Sequence, residues 1–394
     1  MADLARAGQA GPSALMRAVR QVETENASLA AKLKARIAAD GPLSIEAYMK
    51  ACLLDERAGA YASRQPIGGK GDFITAPEIS QIFGELLGLW AIAIWQSMGE
   101  PRSVIVAELG PGRGTLIADA LRAWRAWPQF VESVAVALVE ASPVMAEAQR
   151  QTLHDAPAPL RWCARLDEVP EGRLILLANE FIDALPIRQL VRRGNSWRER
   201  LVANDDKGCF AFVEGEAVAL EDQVQAAWGR DAPEGAILET RPEANRLLCE
   251  LAHRATRAPL AALFIDYGHD ETGFGDTLQA VRGHRFADPL AAPGEADLSA
   301  HVDFADLKTR AEAVGLKVYG PLPQGEFLLK LGLGQRRERL LERATSAQKA
   351  AIASGAARLV DPQQMGVLFK VLALTSAGLV PPPPFAPEHL TLSS

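Results

Sequence analysis

The chain is poor in the features that would place it in several large classes of protein. Its four cysteines, Cys52, Cys163, Cys209 and Cys249, lie far apart without a C-x-x-C pair, so reduced thiols are expected rather than a disulfide framework. The six histidines show no H-E-x-x-H or comparable spacing, and no structural or catalytic metal is expected. Positive charge is not in surplus. Lys and Arg number 42 against 49 Asp and Glu, and the net charge of −7 gives no footprint for nucleic acid. Long apolar runs are also missing: the strongest, Leu86 to Trp95, covers about half of the roughly twenty residues a membrane-spanning helix needs. Residues 1–22 carry several arginines but no signal-peptide core and read as a disordered, Ala-rich start. With 394 residues, 48% of them hydrophobic, the chain can still bury a large core.

What is present is concentrated in a few stretches. Val104-Ile105-Val106-Ala107-Glu108-Leu109-Gly110-Pro111-Gly112-Arg113-Gly114-Thr115-Leu116 reads as a strand, a glycine loop and a helix start. Gly110, Gly112 and Gly114 let a backbone approach a ligand where a Cβ would collide. A dinucleotide loop would follow Gly-x-Gly-x-x-Gly. Here the third glycine comes one residue early and Thr115 takes the last slot, the spacing usual for S-adenosylmethionine. The next apolar run, Val134 to Val139, ends in Glu140, an acid placed to accept hydrogen bonds from two ribose hydroxyls.

From residue 103 strands and helices alternate, as in an α/β doubly wound sheet. Strands are expected at about 103–108, 134–140, 160–163, 173–179 and 260–266, with later ones at 316–319 and 367–374. Glu108, Glu140, Asn179 and Asp266 would end four of them and face one cleft. Ahead of the sheet, residues 1–100 read as a helical region. Leu29, Leu33 and Ile37 share a face, and Ser44 caps a helix burying Ile45, Tyr48, Met49 and Cys52. The glycine-rich segment from Gly68 reads as a lid, with Pro77 opening one long helix through Trp95. An insertion at about 187–245 is expected as an antiparallel flap turning at Gly194-Asn195 and at Asp205 to Gly208. Its Arg188, Arg192, Arg193, Arg198 and Arg200 would either dock an acidic surface or stand in solvent. The core would run over 101–376, and the Pro-rich 377–394, with Pro381 to Pro384 as extended polyproline, would end the fold.

The fourth strand supplies the second constellation, Asn179-Glu180-Phe181-Ile182-Asp183-Ala184-Leu185-Pro186, in which apolar residues give way to polar ones. Asn179 could hold the cofactor or the acceptor, and Glu180 and Asp183 can share one face of a turn. Paired acids suit a guanidinium acceptor, which stays protonated and is gripped bidentately by carboxylates.

Together with Gly71 to Ser80, Glu108 to Leu116, Asp266-Tyr267-Gly268 and His301-Val302-Asp303-Phe304, this segment resembles the MidA family of S-adenosylmethionine-dependent methyltransferases over residues 40–376. The resemblance implies a Rossmann-like class I methyltransferase sheet. It further implies a protein-arginine methyltransferase whose mitochondrial members symmetrically dimethylate a core subunit of respiratory complex I and assist its assembly. By this likeness Glu108, Gly110, Gly112, Gly114, Glu140 and Asn179 take the cofactor, and Glu180 and Asp183 the acceptor. Asp72, Thr75 and Glu78 match the lid segment. Asp266, His301 and Asp303 are further cleft candidates, the last two also readable as a structural pair. The partner would be a protein, with no transmembrane segment and a homo-oligomer possible. A bacterial member would be cytoplasmic and a eukaryotic one would lie in the mitochondrial matrix. Three other readings stay open: a nicotinamide-dependent oxidoreductase, an assembly chaperone that retains the cofactor without catalysis, and a small-molecule N- or O-methyltransferase.

Overall fold

The computed structural model describes residues 28–63, 74–220 and 232–385. Its centre is a sheet whose seven main strands are β1 (Val104–Leu109), β2 (Val134–Val139), β3 (Leu160–Cys163), β4 (Leu174–Asn179), β5 (Leu260–His269), β6 (Lys317–Pro323) and β7 (Phe369–Thr375). Their spatial order is β3-β2-β1-β4-β5-β7-β6. β1 to β5 are parallel, and β7 runs antiparallel between β5 and β6. This is the doubly wound order with an antiparallel strand slipped in before the last. The apolar runs predicted as strands form for the reason they were legible: β4 and β7 are buried along their whole length by layers on both faces. β5 runs three residues beyond the expected Asp266, to His269.

Register brings the strand tips level. Leu109 pairs with Val139 on one side and Ala178 on the other, and Asn179 pairs with Ile265. The chain after β1, β2 and β4 therefore enters one crevice, at the point where the strand order reverses.

The insertion forms a sheet of its own that also recruits a short strand from residues 43–44. Arg188–Arg193, Ser196–Asn204, Phe210–Val218 and Ile237–Thr240 form an antiparallel sheet that Leu43–Ser44 joins through Ser196–Asn204. The helices Leu29–Asp40 and Ile45–Leu54 pack on it through Leu33, Tyr48 and Met49 against Ile187 and Val202, with Ser44 capping the second as predicted. The flap arginines are not held out for a partner. Arg188 grips Glu199 bidentately at 2.8–2.9 Å, Arg193 meets Glu214 and Glu234, Arg200 meets Asp276, Arg198 donates to the Gly215 carbonyl, and Arg192 is buried over Trp197.

Two further expectations are corrected. The long helix from Pro77 breaks at Ser80, whose extended backbone and side chain cap a separate helix Gln81–Ser97 and leave Ala76–Ile79 as a short turn. Pro381 to Phe385 do not stand clear of the fold: the Trp90 indole donates to the Pro383 carbonyl at 2.8 Å and Phe385 packs beside Phe327. Among the described residues no helix is long and apolar enough to cross a membrane.

Candidate active site

The crevice holds a cavity of about 370 Å³ lined by Gly110, Gly112, Glu140, Glu180, Phe181 and Leu166, with Tyr61 and Leu54 of the N-terminal helices as the opposite wall. A small adjoining pocket of about 30 Å³ is bounded by Glu108, Asn179, Glu180, Thr75, Glu78 and the glycine loop. Glu108, Glu140, Asn179 and Glu180, singled out from the sequence, lie around these two pockets, whereas Asp183 lines neither. Gly110, Gly112 and Gly114 all take positive φ, +60°, +55° and +81°, which a side chain would strain. A Cβ on Gly110 would also come within 2.9 Å of the Phe181 ring.

The acids are held in different ways. Glu140 accepts from the Ser142 amide at 2.7 Å and from the Gln149 side chain at 3.1 Å. Glu180 sits at φ +50° and is fixed by its own amide on the Ile265 carbonyl. Its Oε1 accepts from the Ala76 amide at 3.0 Å and from Asn179 at 3.1 Å. Glu108 Oε2, Asn179 Oδ1 and Asp183 Oδ1 are buried and find no hydrogen-bond partner among the described residues. Burial pushes Glu108 up to about 8, with Glu140 adding to the shift. Burial likewise raises Glu140 and Glu180 to about 7, against the pull of the amides they accept from. Asp183 is raised by burial although the Tyr267 hydroxyl donates to it at 2.6 Å. Such a cluster, rich in acceptors and short of donors, suits a cationic ligand.

Other candidates separate from this group. Asp266 is fully buried and accepts the amides of Ile182, Asp183 and Tyr267, so it shapes the loop after β4 rather than lining the cleft. The segment Asp266-Tyr267-Gly268 thereby gains a physical reading: the acid holds the loop, the phenol holds Asp183, and at Gly268 a Cβ would strike the Val302 carbonyl at 2.0 Å. His301 and Asp303 line a different cavity, of about 290 Å³, behind the loop after β4. Asp303 caps the helix Phe304–Ala313, accepts from Thr272 and lies 3.6 Å from His269; the pair expected with His301 is not formed among the described residues. Thr75 lines the small pocket without capping through its side chain, and Glu78 accepts from Thr115 and lies 3.7 Å from Arg113. Asp72 lies outside the described residues.

Sequence reasoning missed Tyr61 and Gln149. Gln149 is wholly buried and donates to the Gly112 carbonyl at 2.8 Å while its oxygen accepts from the Trp162 indole. A signal existed: Met145, Ala148 and Gln149 fall on one helical stripe, so a polar residue occupies a core position.

Sheet order, glycine loop and level acids define an α/β enzyme built around a nucleoside cofactor. Residues 86–322 match the family described as "Putative S-adenosyl-L-methionine-dependent methyltransferase". The chain is 38% identical over 382 residues to "Protein arginine methyltransferase NDUFAF7 homolog, mitochondrial" of Drosophila melanogaster, covering 90% of this chain and 86% of that one. It is 36% identical to the Homo sapiens "Protein arginine methyltransferase NDUFAF7, mitochondrial", covering 86% and 81%. A crystal structure from Burkholderia thailandensis bound to S-adenosyl-homocysteine superposes with a TM-score of 0.78 at 30% identity, over 94% of this chain and 95% of that one. The chain belongs to this family and is an S-adenosylmethionine-dependent methyltransferase.

Proposed function

We propose that the acceptor is an arginine side chain of a partner protein. The observation that supports this most is the pair Glu180 and Asp183, two carboxylates on one loop: Glu180 lines the cavity, and Asp183, buried and lining neither pocket, keeps one oxygen without a hydrogen-bond partner among the described residues. A guanidinium offers donors only and matches that deficit. A neutral small-molecule acceptor would leave the acids unmatched. The relatives' names point to the same acceptor.

In this reading the cofactor lies along the crevice. Glu108 Oε2 and Asn179 Oδ1 face the α-ammonium of its methionyl half, which supplies the missing donor. The lone pairs of Glu140 not taken by Ser142 and Gln149 receive the ribose hydroxyls, and Phe181 and Leu166 flank the base. The cofactor would supply a methyl group on a sulfonium; the acceptor nitrogen would bond to that carbon as its bond to sulfur breaks, with the neutral thioether S-adenosylhomocysteine as leaving group. Glu180 would orient that nitrogen and, with Asp183 three residues on, stabilise its charge, and this acid pair would receive the proton released once the N–C bond has formed. Glu78, tied to Thr115, and Thr75 close the methionyl end.

We further propose symmetric dimethylation of a respiratory complex I core subunit, in the mitochondrial matrix for a eukaryotic host and in the cytoplasm for a bacterial one. The test is incubation of the purified chain with methyl-labelled S-adenosylmethionine and host membranes lacking the endogenous enzyme, followed by mass spectrometry. Label on an arginine of such a subunit, lost with Glu180→Gln, is the expected result. Label elsewhere, or none, overturns the reading.

A further inference from the structure

Gln149 joins two parts of the crevice that the sequence keeps 28 residues apart, Gly112 and Glu140. Its Nε2 donates to the Gly112 carbonyl at 2.8 Å and to Glu140 Oε2 at 3.1 Å, and its Oε1 accepts the Trp162 indole N–H at 3.0 Å. The surroundings fix the amide one way round. Two acceptors lie beside the nitrogen and one obligate donor beside the oxygen, so the reversed amide would meet three repulsions. Gln149 has no exposed surface, and no other side chain among the described residues is hydrogen-bonded to both the glycine loop and Glu140. The backbone supports the same linkage. Ser142 caps the helix that carries Gln149 and gives its amide to the second oxygen of Glu140.

We infer that Gln149 is a positioning residue that locks the glycine loop and the ribose-facing carboxylate of Glu140 into one unit, so that recognition of the ribose and seating of the methionyl half depend on each other. This rests on the proposed role of Glu140. With both oxygens of Glu140 tethered by donors from the chain, their remaining lone pairs are aimed rather than free to rotate. The Gly112 carbonyl, pinned by the same amide, sets how closely the loop approaches the ligand. Glutamate at this position could not donate and would place a second carboxylate against the first.

The experiment is calorimetric titration of the full-length protein with S-adenosylhomocysteine and with its 2′-deoxy counterpart. Wild type is expected to prefer the ribonucleoside by about tenfold or more, the equivalent of one or two good hydrogen bonds. In Gln149→Leu affinity for S-adenosylhomocysteine falls by about tenfold and the ribose preference shrinks below about threefold. Gln149→Glu shows the same loss at pH 8 and regains part of it at pH 5.5, where one of the two acids takes up a proton. The quantity read at both pH values is the ribose preference, because a buried acid pair would weaken the fold at pH 8 whatever the role of Gln149. Should Gln149→Leu not fold, Trp162→Phe carries the test, because it frees the amide oxygen and leaves Gln149 in place. It is expected to lower both affinity and ribose preference, by a smaller factor. Wild-type preference retained in whichever of these two variants folds overturns the inference. If wild type shows no ribose preference, or Glu140→Ala leaves the preference intact, the role proposed for Glu140 fails instead.

Discussion

Glu180 accepts the backbone N–H of Ala76 through Oε1 at 3.0 Å, tying the loop after β4 to a segment 104 residues earlier in the chain. The same oxygen receives the Asn179 amide, which leaves Oε2 for the cavity. The arrangement is held at a cost: a non-glycine residue at φ +50° carries about 1 kcal/mol or more of backbone strain. Strain kept at a cavity wall fits a residue whose direction matters more than its stability. Under the proposed function Glu180 would have two jobs, steadying the chain at Ala76 and facing the acceptor, and substitutions can separate them.

Glu180→Gln keeps an oxygen for the Ala76 amide and removes the charge. Affinity for S-adenosylhomocysteine is expected to stay within about threefold, while turnover falls by about 100-fold or more. Calorimetry and transfer of labelled methyl read the two quantities. Unchanged turnover would remove Glu180 from the acceptor side.

The rate should also follow the ionisation of this pair. Glu180 is raised to about 7 by burial, with the Asp183 charge adding to the shift, and Asp183 is itself raised. The ionised forms grip a cation, so at pH 6 most of the enzyme is in the less competent state. In wild type kcat/KM rises with pH through about 7 and levels off above it. A profile flat from pH 5.5 to 8.5 would mean that neither acid titrates in the free enzyme over that range.

Much of this site was readable before the fold was known, and the reason is the sheet. Strands buried on both faces leave continuous apolar runs, so their ends, and hence Glu108, Glu140 and Asn179, can be located by where the runs stop. Asp266 defeated that rule because β5 continues past it to His269 and its carboxylate turns inward to three amides. The flap arginines were misread because partners such as Glu199 for Arg188 and Asp276 for Arg200 are set by strand register and by a distant loop, which composition does not show. Ser80 did carry a legible cap signal, obscured because Pro77 three residues earlier already reads as a helix start.

Glu108 should destabilise the ligand-free protein at neutral pH. Its folded value of about 8 lies above its ordinary 4.5. Between those values the folded state holds a proton that the unfolded chain has lost. Stability from this group is therefore full below about pH 4.5 and declines as pH rises through about 8. Glu108→Gln removes that penalty. Denaturant unfolding should show the variant more stable than wild type by on the order of 2–4 kcal/mol at pH 8 and about equal at pH 4.5. The same variant should bind S-adenosylmethionine more weakly, since the acceptor facing the ammonium has lost its charge. Equal stability at both pH values would place Glu108 in a wetter setting than its burial implies.

Tyr267 offers a test of Asp183 that leaves the carboxylate untouched. Its hydroxyl lies 2.6 Å from Asp183 Oδ2 and 2.6 Å from Ser299 Oγ, and this hydrogen bond opposes the upward push that burial gives Asp183. Removing the hydroxyl should therefore raise Asp183 further and let its side chain turn. For Tyr267→Phe the rising limb of the pH–rate profile is expected to move to higher pH, and kcat at pH 7 to fall by about tenfold. KM for S-adenosylmethionine should change little, because Tyr267 is not among the residues lining the cofactor crevice. The phenyl ring keeps its edge contacts with Phe369 and His301, so the core is preserved and the loss in folding stability should be that of the buried hydrogen bonds to Asp183 and Ser299, on the order of 1–3 kcal/mol. If the limb stays in place while only stability drops, Tyr267 is part of the scaffold, and the proton released from the acceptor leaves by another group.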